Sequence, residues 1–413
     1  MASNKRYILR FLALAFAAAL TADTGVAFAQ PHWVGTWSTP QQVPEPNNAL
    51  PAHSLDNATL RQLVRISIGG SVIRIRVSNA FGTSPLRIDS VHVARAITPG
   101  SSRIDPASDR TVIYSGQRDI VIPAGAEYLS DPIPMQLAPL TTLAVSMHFP
   151  EQPAGETGHP GSRATSYILS GDHVADAELT GATTVEHWYF LTEVDAEQPS
   201  RSNAVAVVGD SITDGHGVPT DSNKRWTDVL AQRLVAAHRD VGVLNLGIGG
   251  NRILLDGLGP NAVARFDRDV IDRPGVKYLI VLEGVNDLGT STREHPISAA
   301  DHQALVQHII AGFAQMIARA HNHGIKVFGA TIMPYAGSGY YHPDTANEAD
   351  RQAINAWIRT PGHFDAVVDF DKLVRDPKRP AYLRPDYDLG DGLHPSVKGY
   401  QAMGNAVPLS LFR

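Results

Sequence analysis

Near residue 200 the hydrophobic pattern of this 413-residue chain changes period, and that change limits it to a fold in two parts. Before it, apolar and polar residues alternate. Val64, Ile66 and Ile68 are separated by Arg65 and Ser67; after Gly69-Gly70, Ile73, Ile75 and Val77 are separated by Arg74 and Arg76. A period of two puts one face of a strand on a core and the other in water. A Gly-Gly pair between two such runs predicts a hairpin. Further strand-like runs at Leu86 to Val93, Ile120 to Ile122 and Leu143 to Phe149 are separated by segments rich in Pro, Gly, Ser and Asp, with no amphipathic helix between them. Residues 30–195 are therefore expected to form an all-β, jelly-roll-like sandwich.

From about Asn203 the apolar runs become continuous: Ala204 to Val208, Val243 to Leu246, Tyr278 to Leu282, Val327 to Ile332 and Val367 to Phe370. Between them Trp226 to Ala237, Leu305 to Ala320 and Glu348 to Ile358 carry apolar residues at three- and four-residue spacing. Strands apolar on both faces, alternating with helices, predict an α/β domain over residues 203–413 with a doubly wound parallel sheet. Ala196 to Ser202 reads as the linker.

The remaining composition works by exclusion. There is no cysteine, so disulfides, thiolate nucleophiles and thiolate metal sites are absent. The formal net charge is -6 and no Lys/Arg-rich run appears, which argues against nucleic acid as a partner. Lys5, Arg6 and Arg10 precede the apolar run Phe11 to Leu20, and Ala27-Phe28-Ala29 supplies small residues for a signal peptidase. Residues 1–29 thus read as a Sec signal peptide cleaved after Ala29, giving a secreted or periplasmic protein with no membrane anchor. The apolar run is about half the roughly 20 residues a bilayer requires.

Four segments carry polar chemistry where α/β sheets gather their sites. In Gly209-Asp210-Ser211-Ile212 a serine at a strand-to-helix turn can present its hydroxyl while its own N–H stays free for an oxyanion; a helix N-cap is the plainer use of such a serine. Asn245-Leu246-Gly247-Ile248-Gly249-Gly250-Asn251 leaves the next strand and lets a backbone N–H approach a ligand, or simply turns. It lacks the third glycine of a dinucleotide fingerprint, because Arg252 stands there, and no cofactor is expected. Glu283-Gly284-Val285-Asn286-Asp287 offers an amide donor, or an Asx-turn. In Asp391-Gly392-Leu393-His394 the spacing lets the carboxylate hold Nδ1–H, leaving Nε2 as a base; a capping aspartate with a surface histidine is the alternative.

Together, Gly-Asp-Ser, Asn-x-x-x-x-Gly, Gly-x-Asn-Asp and Asp-x-x-His resemble the SGNH/GDSL hydrolase superfamily in residue type, order and spacing, from about Asn203 to the C-terminus. That resemblance implies a flavodoxin-like sheet and a serine hydrolase of ester bonds. It implies Ser211 as nucleophile, His394 as base, Asp391 as its orienting acid, and the N–H groups of Ser211 and Gly250 with the Asn286 amide as oxyanion hole, with no metal or cofactor. Ile212 replaces the family's usual leucine. Trp33-Val34-Gly35-Thr36-Trp37, Leu60-Arg61-Gln62, Ser78-Asn79-Ala80-Phe81-Gly82 and Ala264-Arg265-Phe266-Asp267-Arg268-Asp269 are similar to a subgroup of bacterial arylesterases and acylhydrolases, some associated with xylan degradation. The implied partner is a small-molecule or polysaccharide ester. Acetyl groups on polysaccharide are the first expectation; lysophospholipids, aryl esters and thioesters are the alternatives. Two rival readings are a metal-dependent hydrolase using His321-Asn322-His323, and an inactive glycan-binding protein.

Overall fold

The computed structural model describes residues 31–413, so the expected signal peptide lies outside the described residues. The main strands of the β-rich part are β1 (Trp33–Ser38), β2 (Ala58–Arg65), β3 (Gly70–Ser78), β4 (Thr142–Phe149) and β5 (Leu191–Glu197). One antiparallel sheet runs β1-β5-β3 and continues with Glu127–Leu129, while Ile133–Leu137 also pairs with β3. The other runs Thr183–Val185, Ser166–Ser170, β2, β4, Ser90–Arg95, Arg110–Val112. Ile73, Ile75 and Val77 of β3 and Val194 of β5 share one buried core with Leu60 and Val64 of β2 and Val145 and Met147 of β4. The two sheets therefore enclose that core between them.

Three sequence expectations are corrected here. The hairpin across Gly69-Gly70 does not form, because β2 and β3 lie in different sheets and meet only through the core. Neither glycine takes the positive φ that a two-residue hairpin turn requires. Gly69 is needed for space instead: a Cβ there would come within 2.2 Å of the Leu137 carbonyl oxygen. The linker is also shorter than expected, since β5 runs to Glu197 and pairs with both β1 and β3. Ala196 is buried in the core and continues the alternation of that strand. The run at Leu86 to Val93 divides into Leu86–Ile88 and Ser90–Arg95, which pair with different partners.

The α/β part contains strands β6 (Asn203–Gly209), β7 (Val241–Gly247), β8 (Val276–Leu282), β9 (Lys326–Ala330) and β10 (Ala366–Val368), all parallel, in the order β7-β6-β8-β9-β10. This is the flavodoxin-like order, with its switch point at β6. Every residue of β6 after Asn203 is buried, as expected for a strand covered on both faces. The helices are α1 (Ser211–Asp214), α2 (Trp226–Ala236), α3 (Val285–Thr292), α4 (Ala299–Asn322), α5 (Thr345–Arg359), α6 (Phe370–Val374) and α7 (Val397–Ala406). Among the described residues no helix is long and apolar enough to cross a membrane.

The two parts share polar and apolar contacts. Val34 and Ile68 sit in the hydrophobic core of the parallel sheet. The Gly35 N–H donates to the Pro274 carbonyl (2.9 Å), and the Val243 N–H donates to Ser67 Oγ (2.9 Å). A buried chain of alternating charge joins the parts: Arg76 to Glu193 (2.9 Å), Glu193 to Arg273 (3.0 Å), Arg273 to Asp269 (3.9 Å) and Asp269 to Arg265 (3.0 Å). Burial opposes the charge on Asp269, and the guanidinium groups of Arg268, Arg265 and Arg273 outweigh it, holding that carboxyl below its ordinary range. Arg265 then donates to the carbonyl oxygens of Gly209 and Leu246, at the ends of β6 and β7. The chain stops directly beneath the candidate site.

Candidate active site

Three neighbouring strands end at one cavity. Ser211 follows β6, Gly249 and Gly250 follow β7, and Asn286 follows β8, so the switch point of the sheet supplies three of its walls. Residues 390–394 and the loop 337–341 close the remaining sides of a cavity of about 810 Å³.

Asp210 is the N-cap of α1: its side chain accepts from the Ile212 N–H at 2.8 Å. Ser211 is thereby the first helical residue, not the cap, and its N–H has no intrahelical acceptor. Its Oγ lies 2.9 Å from His394 Nε2. His394 Nδ1 lies 2.6 Å from Asp391 Oδ2, while Asp391 Oδ1 accepts the N–H groups of Leu393 (2.9 Å) and His394 (2.8 Å). Partial burial works against ionising Asp391, but the hydrogen bonds from the ring and main chain of His394 and from Leu393 prevail and hold its carboxyl well below the usual range. The ring is thus held with Nδ1–H toward a carboxylate and Nε2 toward the hydroxyl.

Asn286 lies in the first turn of α3 rather than in an Asx-turn. Its Nδ2 donates one proton to the Asn251 carbonyl (2.8 Å), and its Oδ1 accepts from the Tyr341 hydroxyl (2.5 Å). Those two bonds fix the amide flip and leave a second Nδ2–H to the cavity that Asn286 lines. Gly250, at φ 69°, and Gly249 line the same wall. The arrangement can activate a hydroxyl and surround a developing oxyanion with N–H donors. We expect Asn286→Ala to lower kcat for p-nitrophenyl acetate by about 10²–10³-fold with little change in KM; steady-state kinetics measure it.

Beneath the site the carboxyl of Glu283 is fully buried, with Arg265 at 3.7 Å, and burial pushes it well above the usual carboxylate range. Asp287 accepts the N–H groups of Ile253 (2.9 Å) and Leu254 (3.0 Å), tying α3 to the glycine loop. Asn245 donates to the Thr213 carbonyl (2.8 Å) and so ties β7 to α1. Of the other polar residues near the motifs, Arg252 lines the cavity and Trp226 is buried core.

Sequence reasoning missed two residues here. The His216 ring packs on His394 with centroids 4.1 Å apart. Burial, then the neighbouring His394 and Arg163, lower its pKa. Its place between Gly215 and Gly217, just past the serine motif, was the available sign. Tyr341 comes from a loop with no periodicity to announce it. Among the described residues His216, Asp391 and His394 form a group able to offer ligand atoms to a metal ion, although Asp391 and His394 are already bonded to each other. His321, proposed as half of a metal pair, instead bonds Asp365 through Nε2 (2.9 Å).

Residues 207–402 match the GDSL-like Lipase/Acylhydrolase family. Among solved structures, the chain is similar to a GDSL-like lipase from Bacteroides thetaiotaomicron (21% identity over 51% of this chain and 89% of that one, TM-score 0.38). It is also similar to an acetyl xylan esterase (20%, 49% and 96%, 0.37) and to the lipase/acylhydrolase from Enterococcus faecalis (21%, 51% and 95%, 0.36). No curated protein is similar enough to count as a match.

Proposed function

We propose that this chain is an ester-hydrolysing member of the GDSL-like lipase/acylhydrolase family that its residues 207–402 match, that Ser211, His394 and Asp391 are its catalytic triad, and that Ser211, Gly250 and Asn286 supply its oxyanion hole. The observation that carries the reading is the unbroken path Ser211 Oγ to His394 Nε2 (2.9 Å) and His394 Nδ1 to Asp391 Oδ2 (2.6 Å).

In the first half-reaction Nε2 takes the hydroxyl proton as Oγ attacks the ester carbonyl, and the oxygen that becomes negative is met by the N–H donors. Asp391 stabilises the imidazolium. The tetrahedral species collapses, the proton passes to the departing alcohol, and an acyl-Ser211 ester is left. Water, deprotonated by His394, then attacks that ester; Ser211 leaves with the proton and a carboxylic acid is released.

The substrate proposed first is a short acyl group, such as acetyl, on a polysaccharide outside the cell, in keeping with the expected signal peptide. A second reading has its own observation. Half-exposed Leu258 and more exposed Tyr340 stand on the cavity wall, and about 810 Å³ far exceeds what an acetyl group fills. A longer acyl chain or an aryl group suits that wall. p-Nitrophenyl esters from C2 to C16, compared with acetylated xylan, separate the two.

The test of the triad is covalent. A fluorophosphonate probe is expected to label the protein once, on the peptide containing Ser211, and activity is expected to survive EDTA dialysis. Labelling of another residue, or none, rejects the assignment.

A further inference from the structure

α1 is a single turn, and a helix of four residues does not hold itself together: nucleation in isolation is unfavourable, so its geometry must come from what grips it. Part of the grip is local. Asp210 caps its start, and Asn245 holds the Thr213 carbonyl. Its last residue, Asp214, is held from the β-rich part of the chain.

His159 Nε2 lies 2.8 Å from Asp214 Oδ1, and both side chains are almost wholly buried. His159 sits in the two-residue strand Gly158–His159, which pairs with Trp188–Tyr189, and its ring stacks on Trp188 at 27°. The other ring nitrogen, Nδ1, lies 3.1 Å from the Pro40 carbonyl oxygen. Both nitrogens therefore face oxygens, one of them a carbonyl that can only accept. Nδ1 must donate to Pro40. The Asp214 contact is then made either by an imidazolium to a carboxylate or by a neutral ring to a protonated acid, and each form joins the same two atoms.

Two neighbouring features serve the same contact. A Cβ on Gly161 would fall 1.7 Å from Asp214 Oδ2, so only glycine lets the 158–165 segment lie this close to α1. Arg225 donates to the Asp214 carbonyl (2.9 Å) and also to that of Ser162, joining the end of α1 to that segment through a second side chain. The Asp214 carboxylate is not part of the proton path between Ser211, His394 and Asp391. A buried polar pair with no chemical duty, reaching across two parts of the chain to the turn that carries the nucleophile, serves orientation.

We propose that His159 is a positioning residue for the esterase: by clamping Asp214 it sets the turn that presents Ser211 to His394, which makes the β-rich part a working component of the active site. The inference rests on Ser211 being the nucleophile.

The test compares kcat and KM for p-nitrophenyl acetate in the full chain carrying His159→Ala, His159→Gln, Gly161→Ala or Asp214→Asn, with far-UV circular dichroism and a urea midpoint for each. A misplacement of about 1 Å at a reacting atom is enough for a loss near 10²-fold. His159→Ala is expected to lose about that much kcat with KM within about twofold. His159→Gln is expected to recover most of the loss, because its amide N–H can reach the same carboxylate. Gly161→Ala, which leaves His159 intact and displaces Asp214 sterically, is expected to reproduce the kcat defect. The double variant His159→Ala/Asp214→Asn should be no slower than the worse single variant, as for groups acting through one contact. If His159→Ala does not fold, the Gln and Gly161→Ala variants decide. Folded variants whose urea midpoint falls while kcat stays within twofold of the parent overturn the proposal and leave a merely structural pair. A parental kcat in Ser211→Ala overturns the triad; a loss of about 10⁶-fold there, with unchanged kcat in the His159 and Gly161 variants, overturns this inference alone.

Discussion

Ser211→Ala is expected to lower kcat for p-nitrophenyl acetate by about 10⁶-fold, the scale on which removal of a triad serine acts. The fold should not change. Among the described residues Ser211 Oγ bonds only His394, the cap of α1 is the neighbouring Asp210, and alanine is well suited to a first helical turn. Circular dichroism and the thermal midpoint of the variant are therefore expected to match the parent. Residual activity above the uncatalysed rate should remain, because the N–H donors around the carbonyl oxygen are untouched. Adding His394→Ala to this variant should cost little more, since the two groups act as a unit. Steady-state rates of the single and double variants check both statements, and a parental kcat in Ser211→Ala rejects the nucleophile.

Asp391→Asn is expected to cost about 10⁴-fold in kcat with the architecture retained. The carboxylate accepts on both oxygens: Nδ1 of His394 on one side, and the N–H groups of Leu393 and His394 on the other. An amide keeps only one accepting side. Turned either way, its NH₂ opposes a donor, and the simplest relief is a tautomer change that puts the proton on Nε2, facing Ser211. The base is then already occupied. The same bonds explain a pH effect. They hold the Asp391 carboxyl well below the usual range, so it stays ionised when mildly acidic solution is reached. Since the folded value is depressed, the group stabilises the native state above its unfolded pKa of about 3.9, and that contribution is lost as pH falls through the folded value. Protonation of Asp391 is therefore not expected to cause any loss of activity between pH 7 and pH 5, and pH–rate profiles of the parent and of Asp391→Asn test this.

What could be read from the sequence follows how locally each feature is determined. The run Ala204 to Val208 became β6 because five consecutive apolar residues can only be buried on both faces, and Trp226 to Ala237 became α2 through its spacing. Residue type and spacing singled out 211, 250, 286, 391 and 394 as candidates, and the fold brings all five to one cavity. Strand partners were not legible. Alternation in Val64 to Ile68 and Ile73 to Val77 gives each strand a buried face but says nothing about its neighbour, so two strands of opposite sheets looked like a hairpin. Long-range polar pairs left no local sign either: His159 and Asp214 are 55 positions apart, and neither periodicity nor composition joins them.

The buried ladder of charge from Arg76 through Glu193, Arg273 and Asp269 to Arg265 also decides how the molecule meets its surroundings. Mobile ions weaken attraction between groups they can surround, and the four side chains from Glu193 onward are sealed from them. The joint should hold in brine as firmly as in dilute buffer.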